Sequence, residues 1–354
     1  MPNRKAIHLA IAMLACAGLW LGSLAPASAQ DSVAEFYKGK NVTLIVGSSP
    51  GGGYDTYTRL IARHMGRHIP GNPNLIVQNL PGAGGNVLAN QLASIGPKDG
   101  TTIGAPQSGV IFAPLLGLIP VKHDPSKFHY LGSANNDVYI CVARADAPAK
   151  SFAEALEKEM VLAASNASST ADYAQILANT VGAKWRVVMG YTGSREIALA
   201  IDKGEAHGAC GLAWPSISVT QSDWFTEGPT KSRMRVIVQT HATGHPELNA
   251  AGVPLAGSFA KTPEQKAILG LFFSQSQFGR PYILPAGTPS DRVAALRKAF
   301  GATMADPQFK AGAAKLKLDV DAVPGEVVQK VVADVYASPP DLIARTKKAL
   351  QQRK

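Results

Sequence analysis

The sequence predicts an α/β fold with mainly parallel sheets, and three observations carry that prediction. Short β-rich runs alternate with helical patterns along the chain, the arrangement that feeds parallel strands through helical crossovers. Two of the runs, at 42–46 and 75–77, end in glycine-rich bends that lead directly into helical patterns. Beyond the N-terminus no window reaches the ~20 unbroken apolar residues that a spanning helix needs.

The first element is a leader. Arg4 and Lys5 precede an apolar run over 6–24, and Ala27-Ser28-Ala29 supplies an A-x-A cleavage site. This is the pattern of a secretory signal peptide covering 1–29, with a mature chain starting near Gln30 and exported to the periplasm. A membrane anchor, or a lipoprotein made through Cys16, fits less well. The run is broken by Gly18 and Gly22, and Cys16 lies in its middle.

Strands are expected next at 42–46, 75–77, 102–105, 138–143, 161–164 and 236–239. Helices are expected at 57–68, 83–95, 171–181 and 195–203. In the first helix Leu60, Ile61, Met65 and Ile69 recur at helical spacing, so one face packs. Three later helices share a start signal: Thr262-Pro263-Glu264-Gln265, Thr288-Pro289-Ser290-Asp291 and Ser338-Pro339-Pro340-Asp341. Each offers a hydroxyl as N-cap, Pro in the first turn and an acid or amide at the third position.

Composition narrows the function. The formal charge is +10, without a Lys/Arg block or a basic-aromatic stripe, so nucleic acid is not the expected partner. Beyond the leader only Cys141 and Cys210 remain. In an oxidising compartment they either pair or stay as two buried thiols. No C-x-x-C exists, which removes a cysteine zinc site. The pair His64 and His68 lacks the glutamate of a zinc protease and reads as a solvated basic face. No metal or cofactor is expected.

The bend Gly47-Ser48-Ser49-Pro50-Gly51-Gly52-Gly53-Tyr54-Asp55 resists the usual phosphate motifs. The third glycine of a dinucleotide fingerprint is absent, and so is the lysine of a P-loop. Gly47-Ser48-Ser49-Pro50-Gly51 matches a G-x-S-x-G nucleophile elbow, which makes a periplasmic hydrolase using Ser49 the rival reading. Yet the residue after that serine must donate an oxyanion-hole N–H, and Pro50 has none. An enzyme is therefore not expected. The bend instead suits a plain anion: glycines bring the backbone close, and a helix N-terminus adds free amides and a positive dipole end. Asp55 is expected to cap that helix. A second bend, Asn79-Leu80-Pro81-Gly82-Ala83-Gly84-Gly85-Asn86, repeats the plan after the next strand. Two such bends converge at the carboxyl edge of a parallel sheet, where open α/β folds bind ligands.

These two bends, in this order, followed by "IGPKDG", resemble the Bug-type extracytoplasmic solute receptors of tripartite tricarboxylate transporters. Further matching stretches are "GYTGSREIALAIDKGEAHGACG", "HPELNAAGVPLAG" and "GRPYILPAGTPSDRVAALRKAF", so the resemblance spans nearly the whole mature chain. It implies a periplasmic-binding-protein type II-like fold, two lobes around a cleft joined by a two-stranded hinge. Residues 30–132 plus 241–354 would form lobe one and 133–240 lobe two, with chain crossings near 132–136 and 239–241. It further implies a monomer that captures an organic carboxylate and hands it to membrane permease subunits; a sensory receptor would share fold and ligand. The implied ligand-binding residues are Ser48, Ser49, Gly51, Gly52, Gly53, Tyr54 and Asp55, then Gly82, Ala83, Gly84 and Gly85, with Gln107 and Ser108 after the third strand. From lobe two come Ser168, Ser169, Thr170, Tyr191, Thr192, Gly193 and Trp214, the last either lining the cleft or buried at the hinge. Thr192 stands where the family carries a lysine, which removes a positive side chain. Tyr54 and Trp214 would suit a ring-bearing or longer apolar acid.

Overall fold

The computed structural model describes residues 26–351 apart from Leu118 and Ala167, with the side chains of 26–31 undescribed. Residues 1–25, the bulk of the expected signal peptide, lie outside that range. Among the described residues no helix is long and apolar enough to cross a membrane.

The strands are β1 Asn41–Val46, β2 Asn74–Asn79, β3 Thr102–Ala105, β4 His129–Ser133, β5 Tyr139–Arg144, β6 Met160–Ser165, β7 Trp185–Tyr191, β8 Gly208–Ala213, β9 Met234–Thr240, β10 Pro281–Leu284 and β11 Val323–Pro324. They build two sheets, ordered β11-β4-β10-β3-β1-β2 and β7-β6-β8-β5-β9. Each sheet is mixed. In the first, β1 runs parallel to β2 and β3, while β10 is antiparallel to β3 and β4. In the second, β6 runs parallel to β7 and β8, while β5 is antiparallel to β8 and β9. The parallel part of the first sheet consists of the strand-bend-helix units foreseen from the sequence, whereas in that of the second only β6 was foreseen. The antiparallel parts arise where the chain passes between sheets and re-enters at an angle that sequence alternation does not encode.

Those passages lie side by side. The chain leaves the first sheet after β4 and enters the second at β5; it returns through 274–280 into β10. The Gly279 amide donates to Asn135 O at 2.9 Å, the Ala134 amide to Arg280 O at 3.1 Å, and the Asp137 amide to Ser276 O at 3.0 Å. Helix Pro246–Ala250 stays with the second sheet, because Leu248 and Val253 join the core built on Ile140, Val142, Ala163 and Ile201.

Helix Gly53–Met65 buries Tyr57, Leu60, Ile61 and Met65 against β1 and helix Ser290–Ala305, the face its spacing announced. Its end is tied rather than solvated, which corrects the expectation for His64 and His68. Arg67 and His68 both engage Asp306, which also accepts from the Gln308 amide at 2.8 Å to cap helix Pro307–Lys315.

Of the three shared start signals only one works as expected. Thr262 and Gln265 form a complete capping box. The helices Ser290–Ala305 and Pro340–Leu350 take Pro289 and Pro339 as N-caps, without a side-chain bond. Thr288 and Ser338 instead turn their hydroxyls back onto the carbonyls of Pro285 and Asp334. Cys141 on β5 and Cys210 on the adjacent β8 are disulfide-bonded, which settles the two alternatives the sequence left open.

Strands β4, β7, β8, β10 and β11 were not foreseen. β8 reads Gly-Ala-Cys-Gly-Leu-Ala, weak strand composition by any propensity. The small residues are required by close backbones: a Cβ on Gly208 would lie 2.0 Å from Val142 O, and one on Gly211 2.1 Å from Ser169 O.

Candidate ligand-binding site

Three bends leave the carboxyl ends of β1, β3 and β2 and touch one another. A Cβ on Gly47 would come within 2.9 Å of Gly85 Cα and 3.3 Å of Pro106 Cα; one on Gly85 would lie 2.9 Å from the Gln107 amide. Gly85 also has φ +88°, and Ala83 takes φ +45° without being glycine. Backbone in such rare conformations persists where its surroundings over-determine it, often at ligand sites.

The first bend is held from behind. Asp55 is the third residue of its helix and not the N-cap, which is Gly52. Its carboxylate accepts from the Gly51 amide at 2.8 Å, Arg59 at 2.9 Å and Asn79 at 2.8 Å. Burial pushes its pKa up, but these hydrogen bonds more than offset it and hold the carboxylate below its usual range. The Gly51 amide is thereby spent on the Asp55 carboxylate and is not free for an anion. Ser49, Gly51 and Gly52 are exposed. Gly53 abuts helix Trp214–Thr220, since a Cβ there would sit 2.6 Å from Ser216 Oγ. The Ser48 carbonyl accepts from Asn79, while its hydroxyl is buried with no partner. No histidine bonds Ser49 among the described residues.

Tyr54 joins a buried polar cluster at the passage between sheets. Its hydroxyl donates to Gly279 O at 2.8 Å and receives the Ser108 amide at 3.4 Å. Arg280 lies 4.2 Å above its ring and 4.9 Å from that of Tyr57, 3.6 Å from Asp137, and donates to Ser216 Oγ at 2.9 Å. Ser108 also bonds Tyr139, which stacks on Tyr173 at 4.7 Å. Burial pushes the hydroxyls of Tyr54, Tyr139 and Tyr173 above their ordinary value, so they remain neutral donors.

Beside this cluster a cavity of about 260 Å³ opens between the two sheets. From the first sheet's bends it is lined by Gly84, Asn86, Gln107 and Gly109; from the second sheet by Tyr139, Ser168, Ser169, Asp172, Gln175 and Met189; and from the connecting helices by Phe112, Phe272 and Gln275. The structure thus brings Gly84, Gln107, Ser168 and Ser169 to one cavity. Gly82, Ala83 and Gly85 shape the same bend, and Ser108 stands behind Tyr139. Thr170 receives the Ser165 amide at 2.9 Å, and Ser169 donates to Gly211 O at 3.0 Å.

The first bend, Ser48 to Asp55, does not line this cavity. Tyr191 packs half-buried on the second sheet's core, Thr192 is exposed, and Gly193 is the N-cap of helix Ser194–Asp202. Trp214 lies outside it too, buried against Phe225 with its indole N–H on Glu247 at 3.2 Å. A wider groove of about 570 Å³ runs along helix Ser290–Ala305, lined by His129, Arg297, Lys298 and Glu326. It draws on the first sheet's side alone and gathers none of these residues, so the smaller inter-sheet cavity is the better candidate.

Sequence reasoning missed Asp172, four residues into helix Ser169–Val181. The available signal was Ser169-Thr170-Ala171-Asp172, a Ser-x-x-Asp pattern that reads as a capping box. With Ser168 as N-cap the acid falls one place beyond the capping position and lines the cavity instead. Burial alone lifts its carboxyl from 3.8 to about 7. Between those values the unfolded chain has lost a proton that the folded chain keeps, so stability declines as pH rises from about 4 through about 7. Asp172→Asn is expected to flatten that part of the melting-temperature profile; parallel profiles for the two proteins would reject the assignment.

No family model and no curated protein matches the sequence. Solved structures do. The periplasmic binding protein BugD aligns with TM-score 0.66 at 21% identity, covering 88% of this chain and 98% of that one. MatC from Rhodopseudomonas palustris, solved with bound malate, gives 0.63 at 18% identity over 88% and 99%. A second R. palustris protein, solved with adipate, gives 0.64 at 19% over 87% and 97%. The chain has the fold of these proteins, the α/β periplasmic-binding-protein type II arrangement.

Proposed function

We propose that this chain, which has the fold of Bug-type receptors, is an extracytoplasmic solute-binding protein, exported by the leader at 1–29. It captures an organic carboxylate in the inter-sheet cleft and presents it to the permease of a tripartite tricarboxylate-type transporter, as a monomer and without chemistry on the ligand. Two lobes, one of 30–132 plus 241–354 and one of 133–240 with helix Pro246–Ala250 packed on it, close on the solute by hinge motion at the paired passages.

The observation that carries this reading is the cavity itself, where a strained glycine bend faces a helix N-terminal turn from the other sheet. Glycine lets main-chain N–H groups approach an anion, and the first turn of a helix has amides without intrahelical partners. Serine chemistry is disfavoured because no base bonds Ser49 among the described residues and Pro50 supplies no N–H. The malate and adipate held by the two R. palustris proteins indicate the ligand chemistry to try first.

The test is a thermal-shift screen of the purified mature chain against mono-, di- and tricarboxylates and amino acids. A ligand at one hundred times its Kd adds about 2.7 kcal/mol, a shift of several degrees. If no carboxylate moves the transition, and nitrophenyl esters turn over in a manner abolished by Ser49→Ala, the receptor reading is replaced by the hydrolase.

A further inference from the structure

We infer that Asp172 sets the substrate class of the cleft: the solute carries a protonated amine as well as its carboxylate, on an apolar body, and Asp172 receives the amine. The inference rests on the receptor reading above and narrows it to amino-acid-like zwitterions.

Charge supplies the first argument. Asp172 lines the cavity, and no lysine, arginine or histidine does. Among the described residues its carboxylate has no ion-pair partner and accepts no hydrogen bond; burial is the sole influence on its titration. A cleft built for two carboxylates would place a cation or several donors where the second one lands. This cleft places an acid among its donors, and above about pH 7 that acid is charged and repels a second carboxylate.

A second, independent observation comes from the opposite wall. Asn86 is 8% exposed and donates through Nδ2 to Ala83 O at 2.6 Å, which leaves Oδ1 buried with no donor. A buried polar atom without a partner is costly. Asn86 and Asp172 thus both line the cavity with an acceptor that lacks a donor, Asn86 Oδ1 being closed off from it and Asp172 the acceptor it offers. An ammonium group offers three N–H donors and a full positive charge. It meets the Asp172 carboxylate with a full opposite charge as well as hydrogen bonds, which a neutral hydroxyl cannot. Phe112, Met189 and Phe272 give the cavity an apolar flank. A hydrocarbon side chain fits there, while the ligand's carboxylate turns to the amides of the glycine bend.

The experiment is calorimetric titration at pH 8 with matched pairs: leucine against 4-methylpentanoate, norleucine against hexanoate, and phenylalanine against 3-phenylpropanoate. Adipate serves as the dicarboxylate control. At least one amino acid is expected to bind ten-fold or more tightly than its desamino partner. Asp172→Asn should reduce that preference at least ten-fold, weakening the amino acids and tightening the desamino acids that the acid no longer repels. Circular dichroism checks the fold of the variant, and the wild-type preference remains decisive should the variant not fold. The inference is overturned if desamino acids or adipate bind as tightly as the amino acids, or if Asp172→Asn preserves the preference; carboxylate capture then stands without it. If neither amino acids nor any simple carboxylate binds, the receptor reading falls as well.

Discussion

Arg280→Ala is expected to cost about 3–5 kcal/mol of folding stability, the range for removing one partner of a buried ion pair. Arg280 and Asp137 have side chains 2% and 0% exposed. Asp137 Oδ2 has no partner, and its Oδ1 keeps only Asn135 Nδ2 at 3.2 Å once the guanidinium is gone. Packing there is close: a Cβ on Gly279 would sit 2.3 Å from Asp137 Cγ, so no side chain fits at 279 beside the acid. The same arginine covers the rings of Tyr54 and Tyr57 and bonds Ser216, so its loss removes packing on both sides of the inter-sheet passage. Replacing both members by apolar residues, as in Arg280→Met with Asp137→Leu, is expected to recover most of the loss, because the uncompensated charge is then absent. Urea unfolding of the single and double variants forms the cycle. A single variant losing under about 1 kcal/mol, or losses that simply add, would contradict a coupled buried pair.

Removing the disulfide carries a comparable expected effect. Cys141 and Cys210 are 69 residues apart in sequence, and the chain-entropy account assigns a loop of that size about 4 kcal/mol. The double variant Cys141→Ala/Cys210→Ala should therefore melt on the order of 10 °C lower. Part of the consequence reaches the cleft. Cys210 precedes Gly211, whose carbonyl holds Ser169 in the turn that lines the cavity. Loosening β8 should weaken ligand affinity beyond the stability loss. A melting point within about 2 °C of the parent protein would show that sheet packing, not the crosslink, holds these strands.

The sequence exposed the strand-bend-helix units because each is local. The apolar spacing of Leu60, Ile61 and Met65, the strand run at 42–46 and the glycines of both bends are written within a few residues, and the structure places them in one half-sheet. It did not expose β8, whose two glycines respond to Val142 and Ser169 arriving from elsewhere in the chain. Nor did it expose two of the three helix starts, where Thr288 and Ser338 found nearer carbonyls than the helix amides. The Ser-x-x-Asp pattern at 169–172 reads as a cap, and a shift of one position turned it into a cavity wall.

By itself, then, the amino-acid order determined the α/β class, the two glycine bends and the face the first helix buries, since these depend on periodicity and on backbone freedom over short spans. Tertiary structure alone decided the rest. It brought Gly84, Gln107 and Ser169 to one cavity with Asp172, joined Cys141 to Cys210, and spent the Gly51 amide on Asp55. Charge, burial and hydrogen-bond supply at a point in space are set by segments distant along the chain, and no local pattern records which of them will meet.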